Sequence, residues 1–402
     1  MSELFFLPDL RGIGASLPWT ALMLLAAVLA GEAVQRWLRL PRLLGWSAVG
    51  ALLGPHVLAL LDRGALDAML PLLDLALGVV LFELGQRIDP GWLRRNPWLL
   101  GTSVLESGLA FAAMCGVLLV LGAPPLVAAA AAAIGISTAP AVTLTLVRDL
   151  RAQGQVTERL LLLSALNTVY AVVAVGVLLS WLAREHAQDW QAAVLHPLYL
   201  IFGSLAAATV LAAATLALLR LLGRRHDAQF FCILALVATA VWAAEALKLS
   251  MALTLLGYGV AIRILDRDRL FVALSFGRVG GLLLILLFAV TAARIDVGML
   301  ATGAVAGGVL VAARVAGKAL GVFALAPGSG LPLRKASLLA LALTPMSGVA
   351  LVLLHDTTRL YPQLGPSLAA IVISAVAILE LLGPLLAQFA LLRAGETAEE
   401  RA

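Results

Sequence analysis

The sequence is poor in charged residues. Only 13% of its 402 residues are Asp, Glu, Lys or Arg, whereas an average soluble domain contains about 25%. Hydrophobic residues make up 62% of the chain, which excludes a soluble globular protein. Most of the chain consists of apolar runs of about 18 residues or more, each long enough to cross a bilayer. We therefore predict an all-α polytopic membrane protein, with the lipid bilayer as its first partner.

Other absences limit the function. The five histidines show no metal-ligand spacing, so we predict no metal site. The sequence contains no metalloprotease motif, nucleotide-binding loop or catalytic serine elbow, so we expect neither an enzyme nor a cofactor. Its two cysteines, Cys115 and Cys232, lie within apolar runs, where a cysteine usually acts as a small hydrophobic residue.

The apolar runs predict 13 transmembrane helices. Their approximate bounds are 17–37, 43–61, 67–86, 98–121, 125–147, 157–183, 195–222, 229–247, 250–265, 271–293, 297–325, 333–355 and 366–392. The ninth run is short for a helix that crosses a bilayer.

The basic residues predict the orientation of the chain. If the loop "RWLRLPR" (36–42) is cytoplasmic, 19 of the 28 Lys and Arg residues fall on that side and six on the other. Cytoplasmic loops carry such an excess. We therefore predict that the amino terminus lies outside and the carboxyl terminus in the cytoplasm. The net charge of +5 then reflects topology and does not indicate binding to nucleic acid.

The chain contains an internal repeat. "AVLAGEAVQRWLRLPRLLG" (27–45) resembles "AVWAAEALKLSMALTLLG" (240–257), and "RIDPGWL" (87–93) resembles "RIDVGML" (294–300). We divide the chain into a first six-span repeat (1–194), a linker span (195–228), a second six-span repeat (229–393) and a short tail (394–402). An odd number of crossings separates equivalent spans, so the second repeat is inverted.

Each repeat contains a proline within an apolar run. Pro140 lies in "STAPAVTLTL" and Pro345 in "LTPMSGVALVL". Proline removes a backbone donor, and paired broken helices in inverted repeats are typical of secondary transporters with a site at the membrane midplane. We expect two crossed discontinuous helices, although ordinary proline kinks are an alternative. The polar candidates beside the breaks are Ser137, Thr138, Thr143, Thr344 and Ser347.

Ionisable residues inside spans indicate functional sites. Arg314 and Lys318 are four residues apart, so they share one helix face. Adding the repeat offset of 207 to Glu106 gives position 313, which predicts a Glu106–Arg314 ion pair of functional or structural role. Glu83, one turn before Arg87, fits either the site or an interfacial salt bridge.

Two more polar features lie deep in spans. Asn167 and Thr168 interrupt the run 157–183 at its midpoint, and we expect this pair to face the crossing of the broken helices. Glu380 lies deep in the last span and should be neutral or paired.

Five segments together resemble the monovalent cation/proton antiporter superfamily, particularly its bacterial sodium/proton and potassium-efflux exchangers. They are "LRLPRLLGWSAVGALLGP", "FELGQRIDPGWLRR", "STAPAVTLTLVRDLRAQG", "ARVAGKALG" and "ELLGPLLAQFALLRAGE". The resemblance implies a homodimer in the bacterial cytoplasmic membrane that exchanges Na⁺, K⁺ or Li⁺ for protons by alternating access.

The sequence departs from this family at one position. Family members carry an aspartate as the second residue of the polar pair, where this chain has Thr168; Asn167 and Lys318 match the family. A carboxylate ~4 Å from a cation contributes about 4 kcal/mol at an effective dielectric constant of ~20. Three interpretations stay open: an antiporter that uses Glu83 or Glu106 as cation ligand and Lys318 as proton carrier, a transporter of another substrate such as a sodium-coupled organic anion carrier, or a transport-dead sensor.

Overall fold

The computed structural model describes residues 16–187, 195–223, 226–266, 277–346 and 348–398. These residues form helices and contain no β-strand, which confirms the all-α prediction. The helices are α1, Ser16–Ala33; α2, Arg42–Leu53; α3, Arg63–Ala68; α4, Leu70–Arg87; α5, Pro90–Arg95; α6, Pro97–Val120; α7, Pro125–Gly135; α8, Pro140–Asp149; α9, Gln155–Ala187; α10, Ser204–Leu222; α11, His226–Ala246; α12, Met251–Leu265; α13, Gly277–Ala293; α14, Val297–Leu325; α15, Leu333–Ala342; α16, Gly348–Leu360; and α17, Gly365–Arg393.

Eight helical segments in the described part of the chain, one of them made of α7 and α8 together, are long and apolar enough to cross a membrane. They are Trp19–Leu38, Pro97–Val120, Pro125–Asp149, Gln155–Leu182, Leu195–Leu222, Asp227–Ala246, Val297–Leu325 and Pro362–Arg393. Each overlaps a predicted span, so the protein is an integral membrane protein. The other predicted spans fall on α4, which carries three charged residues, and on shorter or interrupted helices. The count of 13 spans and the inverted repeat stay predictions.

The second predicted span needs a correction. It was expected to cover 43–61, but α2 ends at Leu53. Gly54 is extended, with φ −64° and ψ 171°, and it precedes Pro55. A residue before proline is disfavoured in the helical region, so the apolar run continues beyond the helix as a turn. The apolar composition of the run alone did not indicate where the helix ends.

One group of helices packs around α14. Helices α6 and α17 lie against it, and α17 also contacts α7, α15 and α16. Gly317 packs against Ala110 and Gly321 against the backbone of Glu106, so α6 and α14 run antiparallel. A Cβ on Gly321 would lie 2.2 Å from the Cα of Glu106, which only glycine allows. Small residues at such interfaces let membrane helices approach closely.

A second group of helices packs around α4, α12 and α13. Helix α2 lies against α1 and α13, while α12 lies against α4 and α10. Helix α8, which packs against α17 of the first group, contacts α4 of the second, and α17 itself contacts α2. These contacts become important below, because ionisable side chains lie at both of them.

Candidate functional site

Two helix breaks touch each other in the part of the chain that the structure describes. Helix α7 ends at Gly135 and α8 begins at Pro140, while α15 ends at Ala342 and α16 begins at Gly348. The backbone N–H of Ala139 donates to the carbonyl oxygen of Pro345 at 3.0 Å. Pro140 is the first residue of α8, where its missing N–H costs no helical hydrogen bond. Pro345 lies within the second non-helical segment.

Arg314 joins the two breaks. Its side chain is 0% exposed, and its Nε donates to the carbonyl of Gly135 at 2.8 Å. The Nη atoms donate to Thr344 at 2.6 Å and Ser137 at 2.8 Å, again at carbonyl oxygens. The last carbonyls of a helix are unpaired and carry partial negative charge. One fixed guanidinium therefore stabilises the carbonyl ends of α7 and α15 together.

Asn167 connects α6 and α9 to the first break. Its Nδ2 donates to the hydroxyl of Thr138 at 3.0 Å, and its Oδ1 accepts from the hydroxyl of Ser107 at 3.0 Å. The hydroxyl of Ser164, one turn earlier on α9, donates to the carbonyl of Thr138 at 3.3 Å. The structure therefore brings Asn167 to the break. Ser107 and Ser164 were not identified from the sequence, since isolated serines in membrane helices carry little signal.

Thr168 is buried beside Asn167 but bonds inside its own helix. Its side chain is 0% exposed, and its hydroxyl donates to the carbonyl of Ser164 at 3.0 Å. The hydroxyls of Ser137 and Thr143 also donate to carbonyls of their own segments. Such local bonds satisfy the hydroxyl proton without contacting another element.

The second break carries the remaining predicted polar residues. The Thr344 hydroxyl has no hydrogen-bond partner among the described residues, and Thr344 is 2% exposed. Ser347, also predicted for the site, lies outside the described residues.

The buried ion pair joins Glu106 to Lys318. Lys318 Nζ lies 2.9 Å from Glu106 Oε2, and the two side chains are 1% and 0% exposed. The predicted Glu106–Arg314 pair is wrong. Because α6 and α14 are antiparallel and Glu106 lies against Gly321, Lys318 is less than one turn from that level and Arg314 is about two turns away. Arg314 reaches the breaks instead.

One oxygen of Glu106 is free. Oε1 is buried and has no hydrogen-bond partner in the part of the chain that the structure describes. The next residue along α6, Ser107, is hydrogen-bonded to Asn167, which in turn binds Thr138, so α6 is connected to the first break one residue after the carboxylate. A carboxylate with a free oxygen can accept a proton or ligate a cation.

Glu83 lies away from the breaks. It is 7% exposed and forms ion pairs with Arg148 and, at 3.5 Å, with Arg87. Arg148 is eight residues beyond Pro140, about two turns along α8. Two arginines therefore neutralise Glu83, where α4 meets α8.

A cavity of about 610 Å³ opens beside α4 and α9. It reaches Leu161 and Leu162, in the turn of α9 before Ser164. Its charged lining residues have both signs: Arg87, Asp89, Glu158, Arg159 and Arg263. The cavity therefore lies beside the first two turns of α9.

The carboxyl-terminal tail binds the start of α9. This contact could not be identified from the sequence. Glu396 is 3% exposed and accepts hydrogen bonds from the backbone N–H groups of Val156 and Thr157 at 3.0 and 2.8 Å. Lys335, in the first turn of α15, lies 3.2 Å away. Burial alone would raise the pKa of Glu396, but the hydrogen bonds from Val156, Thr157 and Lys335 hold it below the ordinary glutamate value. The tail thus ties α9 to α15.

Comparison with known proteins gives a consistent result. The family model "Sodium/hydrogen exchanger, transmembrane" matches residues 22–392. The structure is similar to that of the sodium proton antiporter MjNhaP1 from Methanocaldococcus jannaschii at pH 8, with a TM-score of 0.72 and 16% identity over 94% of this chain and 98% of that one. An electron microscopy structure of MjNhaP1 matches with a TM-score of 0.70, the same identity and the same coverage. No curated protein matches the chain in sequence.

Proposed function

The chain belongs to the sodium/hydrogen exchanger family, and we propose that it exchanges a monovalent cation, Na⁺, K⁺ or Li⁺, for protons by alternating access. The observation that carries this proposal is the Glu106–Lys318 pair, an ionisable pair with almost no exposed surface. Ionisable groups at such depth are costly and mark ion or proton pathways. The pair therefore supplies a carboxylate for cation binding, which the threonine side chain of Thr168 cannot supply.

Glu106 is the proposed cation ligand. Its Oε1 has no hydrogen-bond partner among the described residues, whereas both oxygens of Glu83 face arginines. Of the two relocated carboxylates considered from the sequence, the contacts therefore favour Glu106. Asn167 connects Ser107, the residue after Glu106, to Thr138 at the break. Thr168, Ser137, Thr143, Thr344 and Ser347 line the same region in this proposal and supply neutral oxygens.

Lys318 is the proposed proton carrier. With Lys318 protonated, its charge and that of Glu106 cancel. If a cation binds at Glu106 while Lys318 loses its proton, the total buried charge is unchanged. Buried lysines release protons readily, and an uncompensated buried charge is strongly unfavourable. This balance couples the entry of one cation to the exit of one proton.

The proposed assembly is a homodimer of 13-span protomers with two inverted six-span repeats, in the bacterial cytoplasmic membrane. The amino terminus lies outside and the carboxyl terminus in the cytoplasm, as the basic residues indicate. In that orientation the 610 Å³ cavity opens to the cytoplasm. Arg314 holds the breaks together while they move relative to the second helix group.

Transport assays test the proposal. Proteoliposomes or everted vesicles with a pH-sensitive dye should show proton movement when Na⁺, K⁺ or Li⁺ is added. We expect Glu106→Gln and Lys318→Gln to abolish it. Glu83→Gln is the matched control, because it removes a buried carboxylate that the proposal does not use for cation binding. Full exchange in Glu106→Gln, or its loss in Glu83→Gln alone, would contradict the assignment of Glu106.

One observation favours a second candidate, a sodium-coupled organic anion carrier. Arg314 lies at the breaks with no carboxylate within ion-pair distance among the described residues, and the positive amino end of α8 begins there. Half-helix amino ends point at anionic substrates in some transporters. Thermal stabilisation by organic anions, with no cation-driven proton movement, would favour this candidate over the exchanger.

A further inference from the structure

Glu380 is a buried carboxyl group that the proposed exchange does not use. It lies in α17, is 4% exposed, and its Oε1 accepts a hydrogen bond from the hydroxyl of Ser47 on α2 at 3.3 Å. Its Oε2 is buried and has no hydrogen-bond partner in the described ranges. The Ser47–Glu380 contact therefore joins the helix group around α14 to the group that contains α2.

The charged residues on neighbouring elements do not neutralise Glu380. The helices packed against α17 carry Arg42 on α2, Arg148 and Asp149 on α8, Arg314 and Lys318 on α14, Arg334 and Lys335 on α15, and His355, Asp356 and Arg359 on α16, while α7 has none. Among the residues that the structure describes, Glu380 forms no ion pair within 4.0 Å with any of them. Arg148, Lys318 and Lys335 pair with other carboxylates, and Arg314 binds backbone carbonyls.

An isolated carboxylate at this depth is unstable in its ionised form. Removing a charged carboxylate from water costs many kcal/mol unless a cation or several donors compensate, so such a group takes up a proton instead. One hydroxyl donor at 3.3 Å is weak compensation. A proton on Oε2 removes the charge as long as water stays excluded from the contact between α17 and α2.

We propose that Glu380 is a second proton-binding site, occupied while α17 packs against α2 and emptied when the two helices part and water enters. This inference rests on the proposed function, because alternating access supplies the relative movement of the two helix groups. The site is separate from Glu106 and Lys318, which pair with each other.

The position of Glu380 links this proton to the broken helices. Gly383, three residues later and therefore on a similar face of α17, packs against Pro345, and a Cβ on Gly383 would lie 2.7 Å from the Cα of Pro345. Helix α17 thus contacts α2 through Glu380 and the second break through Gly383. A movement that separates α17 from α2 moves the break as well, so alkaline pH favours the separated arrangement.

Infrared spectroscopy of the purified full-length protein tests proton binding directly. The difference spectrum between wild type and Glu380→Gln at neutral pH should contain the carbonyl stretch of a protonated carboxyl group. Glu83→Gln is the control, because Glu83 is ion-paired and its difference spectrum should lack that band. If Glu380→Gln does not fold, the Ser47→Ala variant and a pH titration of the wild-type band take its place. Ser47 is the one donor to Glu380 among the described residues, so its removal should make the band persist to higher pH.

Cation-driven proton exchange in proteoliposomes tests the coupling. In the wild type, exchange should rise at alkaline pH, because loss of the Glu380 proton favours the separated arrangement. Glu380→Gln should lack this rise, because its side chain is always neutral, and Glu380→Asp should retain part of it. Absence of the infrared difference band at neutral pH would overturn the proton site. A wild-type pH profile in Glu380→Gln would overturn its link to movement. If the wild type exchanges no cation for protons, the proposed function fails, while the infrared band still decides whether Glu380 holds a proton.

Discussion

The Glu106–Lys318 pair makes a quantitative prediction about stability. The two charged atoms are 2.9 Å apart, and the side chains are 0% and 1% exposed. Glu106→Gln keeps the size of the side chain but leaves the lysine charge buried without a partner. Removing one partner of a buried pair costs roughly 3–5 kcal/mol, whereas replacing both partners with neutral groups is often close to neutral. Lys318→Met should be costly for the same reason.

A double-mutant cycle measures this effect. Unfolding in detergent by denaturant, followed by tryptophan fluorescence, should show each single variant roughly 3–5 kcal/mol less stable and the Glu106→Gln/Lys318→Met variant near wild type. The two losses are then strongly non-additive. Cation-driven proton exchange should be absent in all three variants, including the stable double variant, which separates loss of function from loss of folding. Single variants within about 0.5 kcal/mol of wild type, adding up in the double variant, would refute the buried pair.

Three further predictions concern other parts of the molecule. Thr168→Asp should create or strengthen Na⁺- or Li⁺-driven proton exchange in vesicles, because a nearby carboxylate adds about 4 kcal/mol to cation binding. Thr168→Val should match wild type if Glu106 is the ligand. No gain in the Asp variant would count against a cation site beside Thr168. Glu396→Gln should destabilise the protein at neutral pH by about 1–2 kcal/mol, as loss of a helix cap does. The pKa of Glu396 is lowered in the folded state, so the ionised carboxylate stabilises the fold at pH values above the ordinary glutamate range. This stabilisation is lost as the pH falls through the lowered pKa. The melting temperatures of wild type and variant should therefore converge in acid. Gly321→Ala should lower the unfolding free energy by roughly 1–3 kcal/mol through its clash with Glu106, whereas Gly308→Ala, whose Cβ would meet nothing within 4 Å, should not.

The helix breaks could be located from the sequence because they obey a local rule. Proline lacks a backbone donor, so Pro140 and Pro345 in apolar runs indicate an interruption whatever the rest of the fold does. The structure places both prolines at interruptions that touch through Ala139. Apolar length likewise predicted the long helices to within a few residues, since the bilayer sets that length.

The partner of Glu106 could not be read from the sequence. The repeat offset related Glu106 to a position beside Arg314, but equivalence between repeats does not specify which residues lie at one level when two helices run antiparallel. The contact of Gly321 with Glu106 sets that level and brings Lys318 close. Glu396 was missed for a similar reason: its hydrogen bonds reach residues about 240 positions away, beyond any local pattern.

The guanidinium at the two breaks affects the stability of the protein when no transported ion is bound. Arg314 provides a permanent positive charge to the carbonyls of Gly135, Ser137 and Thr344, so these groups are satisfied before any cargo arrives. The scaffold therefore needs no bound metal ion to remain assembled. Preparations made in sodium-free buffer should keep their fold, and added salt should change their melting temperature only by the ordinary linkage between ligand binding and unfolding. The affinity for the transported ion and the stability of the fold are then separable. The ion-binding residues can be redesigned for another ion while Arg314 is left in place.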